Sequence, residues 1–243
     1  MTITVVQAKT GTGTGKTVTF NSDVTAGNSV VLAGMFFSAS NVTISSSAPL
    51  FGGSAVTGAV KLADIQSPFL SGQTDYDFLW LLPDLPGGSA VVSITVTNGT
   101  AGANTGLVGW EVAGLGASPS LDKKSTGAAP AGGSTAAASG STGAITSAPE
   151  FIAACMGTQN QFTAAPGSPW TVTAVGDGSF AQAGYQIAAS SGGAYNFTGT
   201  VTSGMWAAAV AAVAATAVPA VHADAPAGDY DRPLRLTRKP FPW

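Results

Sequence analysis

VVSITVTNG, residues 91–99, alternates strictly and then turns. In an extended chain Val91, Ser93, Thr95 and Thr97 fall on one face and Val92, Ile94 and Val96 on the other, because successive side chains of a strand point to opposite sides. Asn98-Gly99 follows, a pair that readily takes the positive φ of a tight reversal. A strand that is apolar on one face must bury that face against another layer. The same short, β-branched segments recur along the chain, divided by Gly, Pro, Asn and Ser. They predict strands over Thr2–Ala8, Lys16–Phe20, Ser29–Phe37, Asn41–Ser45, Asp77–Leu82, Ala90–Thr97 and Gly106–Leu115. In the second half they predict Glu150–Met156, Trp170–Ala174, Ala181–Ala188, Ala194–Thr202 and Met205–Ala214. Strands at such spacing imply an all-β sandwich or barrel rather than βαβ units.

Two segments test that reading. WAAAVAAVAA, from Trp206, would be helical on propensity, since alanine is the best helix former. Yet Val210 and Val213 are its only bulky apolar residues after Trp206, and a hairpin-like Ser203-Gly204 precedes it, so a final strand is expected. Residues 125–147, STGAAPAGGSTAAASGSTGAITS, are of low complexity and offer little apolar surface. The expectation is a long loop over 123–148 within one sandwich domain of residues 1–218; a linker between two domains is the alternative.

TGTGTGKTVTF, residues 10–20, brings a nucleotide-binding loop to mind. That motif needs a glycine five positions before Gly15, where Thr10 stands, and must open a helix whose N-terminus faces the phosphates. Lys16 to Phe20 instead reads as a strand, and the glycines and threonines before it as a connection from strand to strand.

Only 9% of the 243 residues are charged, against about 25% in ordinary soluble proteins. Gly, Ser, Thr and Ala take their place. Residues before His222 carry five bases and nine acids, so the body is net −4 and lacks the clustered basic face that nucleic acid would require. Residues 219–243 differ in kind. Prolines at 226, 233, 240 and 242 keep the segment extended, and Leu234 and Leu236 alternate with Arg235 and Thr237. This suits an arm that adds a strand to a neighbour's sheet edge, with Tyr230, Arg232, Leu234, Arg235, Leu236, Arg238, Phe241 and Trp243 as its docking residues.

Catalytic constellations are thin. His222 is the only histidine and lies in the arm, and Cys155 is the only cysteine, set in an apolar run that predicts burial. Neither a nucleophile–histidine pair within the body nor a Cys/His zinc site can be assembled. Asp75 and Asp77, in QTDYDF, could bind calcium or act as a hydrolytic pair, but a solvated turn before a strand is the plainer expectation. Asp177 in VGDGSF reads as a tight turn. Glu111 in GLVGWEVAGL stands inside an apolar strand, pointing outward or buried with a hydroxyl partner. Asn41, Asn98 and Asn196 each head an Asn-x-Thr triplet, a frequent chance match in a chain so rich in Thr. Trp80, Trp110, Trp170 and Trp206 could form a sugar-stacking platform; their positions in or beside strands favour core packing. No catalytic, cofactor or metal residue is assigned. The start has no secretory-signal pattern, and Trp206 to Val221 is too short an apolar run for a membrane span.

Five phrases occur in a telling order: VTAGNSVVLAGMFF from Val24, GGSAVVSITVTNG from Gly87, GWEVAGLGASPSLD from Gly109, NQFTAAPGSPWTV from Asn160, and AGYQIAASSGGAYNFTGTVTSGMWAAAVAAV from Ala183. Together they resemble a jelly-roll-like antiparallel β-sandwich that recurs in virion proteins of phages infecting actinobacteria and in some bacterial surface proteins. The resemblance spans roughly residues 2–216 and rests on packing motifs. It implies a structural protein, a minor tail protein first, with capsid decoration as the second choice; apart from the resemblance, a module binding host-surface carbohydrate is the alternative. The expectation is a homo-oligomer located in the virion, partnered by other virion proteins of the tail or capsid and with a host cell-envelope glycan as a further candidate; no nucleic acid, membrane or cofactor is expected. The arm lies outside the resemblance.

Overall fold

The computed structural model describes residues 2–11, 16–68, 72–99, 106–175 and 178–216. The first half forms β1 (Thr4–Gly11), β2 (Thr17–Thr19), β3 (Ser29–Ser38), β4 (Ser45–Ser46), β5 (Leu50–Phe51), β6 (Ser54–Ala55), β7 (Val60–Pro68), β8 (Thr74–Leu82), β9 (Val91–Ser93), β10 (Val96–Thr97) and β11 (Gly106–Ala113). The second forms β12 (Ser120–Ala128), β13 (Ser134–Ala138), β14 (Glu150–Thr158), β15 (Phe162–Ala164), β16 (Thr171–Ala174), β17 (Ala181–Ala188), β18 (Thr198–Gly204) and β19 (Trp206–Ala214). Every pairing among the described residues is antiparallel. The all-β sandwich expected from the sequence is what the chain forms, with the alanine-rich β19 as a strand.

Two five-stranded sheets, one from each half, stack face to face. The first runs β1-β11-β3-β8-β7 and the second β12-β19-β14-β17-β16. The orders are the same once each half is counted from its own first strand: first, last, third, then a late pair in reverse. In both halves the second strand, β2 or β13, leaves the large sheet and pairs in a small one with a late strand, β9 or β18. One topology is therefore built twice in tandem. The small sheets cover the outer faces of the large ones, which gives four layers and three apolar seams.

The strand compositions demand this stacking. Strands β3, β8, β14 and β19 are almost wholly buried, so both faces of each large sheet need a cover. Val31, Leu79, Trp110, Phe151, Ala209 and Val213 belong to the seam between the halves. Leu32, Phe78, Trp80, Val92, Ile94 and Val96 lie in the first outer seam, and Ile152, Met156, Phe197, Trp206 and Val210 in the second. The alternation of VVSITVT is realised: Val92, Ile94 and Val96 are buried, Thr95 and Thr97 are exposed, and Asn98 turns the chain at φ 61°.

The long loop expected over 123–148 is corrected. β12 pairs with β19 and β13 with β18 across much of that segment. Its alanines, glycines and hydroxyls bury little, but backbone pairing to strands already packed needs no large side chain, and Ala137 and Ile145 fill the seam beneath. β7 was also missed, because Lys61 and Asp64 interrupt its pattern and its register shifts between Lys61 and Ala63.

Small residues let aromatic rings lie across the sheets. A Cβ on Gly34 would stand 2.0 Å from Cζ of Phe78, its cross-strand partner, whose ring stacks on Phe36 at 5.8 Å between centroids. Gly34→Ala should cost about 1–3 kcal/mol through overpacking, read as a lower urea midpoint. An unchanged midpoint would mean that the Phe78 ring shifts freely.

Candidate functional site

The aspartates expected in a solvated turn are buried instead. β8 begins at Thr74, so Asp75 and Asp77 stand within it, on the face that Leu79 and Leu81 continue. They are 3% and 0% exposed and point into the seam between the halves. The Gly157 N–H on β14 donates to Asp77 Oδ2 at 2.7 Å. Asp75 accepts from the backbone N–H groups of Tyr76 and, on β19, Ala207. Asp75 Oδ2 and Asp77 Oδ1 have no hydrogen-bond partner. Both face one point, where a Gly157 Cβ would stand 2.7 Å and 2.9 Å from them. That point is a bond length from Gly157 Cα and has no room for a cation. Burial pushes the Asp75 carboxyl up to about 7, and burial together with the neighbouring Asp75 charge pushes Asp77 well above the ordinary range. Cys155, buried as expected, donates its thiol to Phe78 O at 3.6 Å, and burial beside Asp77 raises it well above its usual value.

Glu111 is the opposite case. Of the two positions left open by the sequence it takes the buried one, with the expected hydroxyl partner in Thr25 and amides besides. Gln7 Nε2 donates to Oε2 at 2.6 Å, and the Thr25 N–H and Asn28 Nδ2 donate to Oε1 at 2.8 Å and 2.6 Å. Burial pushes its carboxyl up, but those hydrogen bonds outweigh it and hold the group below the ordinary glutamate value. It ties β1, the turn before β3 and β11 together.

A third cluster escaped sequence reasoning. Lys61 Nζ lies 3.0 Å from Asp64 Oδ2 and 3.1 Å from Tyr76 Oη, and above the Tyr76 and Trp80 rings at 5.8 Å and 5.6 Å. Tyr76 Oη also donates to Asp64 at 3.1 Å, and Ser46 Oγ lies 3.1 Å from both Tyr76 Oη and Trp80 Nε1. Residues three apart in a regular strand face opposite ways; the bulge in β7 brings Lys61 and Asp64 to one side. No local pattern announces a bulge. Burial lowers the Lys61 value, but bonding to Tyr76 and Asp64 outweighs this, so the amine stays cationic and cannot act as a base toward Ser46.

The remaining expectations distribute simply. Lys16 donates to Val96 O, and Thr17–Thr19 is a strand, so the segment after Gly15 opens no phosphate-binding helix. Trp80, Trp110 and Trp206 are buried, and Trp170 sits edge-on to Phe197 at 5.0 Å, so all four are packing groups. Among the described residues, no three His, Cys, Asp or Glu side chains gather as a metal site. One surface hollow of about 430 Å³ is lined by alanines, Thr198 and Thr200, and another of about 420 Å³ carries a single acid, Asp84. Asp177, His222 and the arm residues Tyr230, Arg232, Leu234, Arg235, Leu236, Arg238, Phe241 and Trp243 lie outside the described residues. No protein-family model, curated protein or solved structure matches the chain.

Proposed function

We propose that the chain is a structural protein of a phage virion, of the minor tail type, fastened to the particle by its C-terminal arm. One observation carries the reading: the polar side chains of the body are spent on holding its layers together. Glu111 joins β11 to two other segments, Lys61 and Asp64 pin β7 to β8, Asp77 bridges to β14 and Asp75 to β19. Asp122 likewise takes the Thr146 N–H and hydroxyl at 2.6 Å and 2.7 Å. A body so used is a rigid spacer, and the segment left to make charged and aromatic contacts is residues 219–243, with three arginines, a lysine and Trp243.

The resemblance of residues 2–216 to virion sandwiches supports the same assignment. The phrases that carry it fall on β3, β9–β11 and β15–β19, as packing segments should. The reading gives the body no catalytic role. Deleting residues 222–243 should leave the melting temperature of the body unchanged and abolish incorporation into particles, measured by immunoblot of purified virions. Normal incorporation of the truncated chain would end the proposal. Gold labelling of the tagged protein distinguishes a tail position from decoration of the capsid.

A further inference from the structure

The buried aspartates do nothing for attachment and are expensive to keep. An apolar pair would fill the same face, as Leu79 and Leu81 do further along β8. The details of their surroundings say what they are for. Both belong to the first half, and the groups that bond or abut them across the seam, Gly157 and Ala207, belong to the second. Within their own sheet, β3 places Met35 and Phe37 beside them, and β7 places Ile65 and Ser67. From the other sheet β14 contributes Cys155 and Gly157, and β19 contributes Ala207 and Ala209. Cys155 is thus the single further titratable group facing the pair among the described residues, and no cation faces it. Lys61 and Asp64 occupy the outer face of the same sheet, with Tyr76 and Trp80. Two unpartnered carboxyl oxygens converge in a place too tight for an ion. A proton held by the pair removes the charge repulsion between the two carboxyls and lessens the cost of burying their unpartnered oxygens.

We propose that Asp75 and Asp77 form a proton-operated latch between the two halves. While the pair holds a proton, the corner where β8 meets β14 and β19 is shut. When that proton leaves to solvent, two adjacent buried anions remain with three backbone donors and no counter-ion, and water enters between the sheets. Opening linked to the release of one proton grows about tenfold per pH unit between the ordinary aspartate value and the midpoint of the pair, and levels off above it. The latch therefore works from mild acid into the neutral range, and its action belongs to the isolated protein whatever the arm docks to.

Hydrogen exchange of the full chain across pH 5–9, corrected for intrinsic rates, tests this. Protection of the Gly157 and Ala207 amides should fall about tenfold per pH unit in the lower part of that range and level off above it, while Val92 in the outer seam keeps its protection. The double variant Asp75→Asn/Asp77→Asn should show no such fall. Flat protection at Gly157 in the wild type, or a fall that persists in the double variant, would overturn the latch. Infrared spectroscopy provides a measurement that needs no variant. The wild type should show a protonated-carboxyl band at pH 6 that is lost by pH 9, and absence of that band at pH 6 would equally overturn it.

Discussion

Trp110→Ala should lower the stability of the whole chain by about 3–5 kcal/mol, the cost of emptying a large aromatic site in a closed core. Trp110 is fully buried on β11, in the first half, and its indole meets Phe151 and Tyr185 of the second half edge-on at 6.2 Å and 6.1 Å. Its Nε1 donates to Thr173 Oγ1 at 3.4 Å, also across the seam. Deletion of the ring leaves a void that neighbours on two rigid sheets cannot collapse into. Because the lost contacts lie between the halves, the variant should also loosen their coupling. Urea unfolding followed by circular dichroism should show an earlier and broader transition. A loss below about 1 kcal/mol would show that the halves are held together elsewhere.

Glu111→Ala is expected to cost about 3 kcal/mol or more, since it strands three donors and each unpaired buried polar group costs about 1–3 kcal/mol. Glu111→Gln should lose less: it keeps the shape and one acceptor, but turns an amide N–H toward Asn28 or Gln7. The pH dependence gives this residue a signature. Its folded carboxyl lies below the ordinary value, so its contribution is complete above that value and is lost as pH falls through the folded one. The aspartate pair has the opposite sign. Raised above the ordinary value, it contributes fully in acid below about 4, and that contribution is lost as pH rises toward about 7 for Asp75 and beyond it for Asp77. Thermal melts from pH 3 to 9 should therefore peak in mild acid in the wild type. Glu111→Ala should flatten the acid side alone, and a variant that retained the acid slope would show that another carboxylate sets it.

These carboxylates also show how far a one-dimensional reading reaches. Glu111 was visible as an acid inside an apolar strand, a local anomaly that called for a partner. Which partner it has depends on Thr25 and Asn28, more than 80 residues away in the chain. Asp75 and Asp77 were visible as a pair, yet three residues of strand length decided their fate. With β8 starting at Asp77 they would close a turn; with β8 starting at Thr74 they enter the core. Strand ends are set by the neighbouring strands, here β3 and β7, which pair with β8 out to Thr74. Lys61 and Asp64 were hidden for the same reason, since a bulge exists only relative to a partner.

The sequence alone determined what is local. Period-two alternation, β-branched runs and the Asn98-Gly99 turn made this an all-β chain of stacked sheets, because side-chain direction along an extended backbone depends on nothing beyond the adjacent residues. It also set the low charge of the body and the proline-spaced arm. Tertiary structure decided what depends on pairing between distant segments: the topology repeated in each half, the strands drawn from the low-complexity segment, and the two carboxyls placed against Gly157. The physical reason is that a strand's partners are chosen by the summed burial of both its faces, and that sum is defined only once every layer has come together.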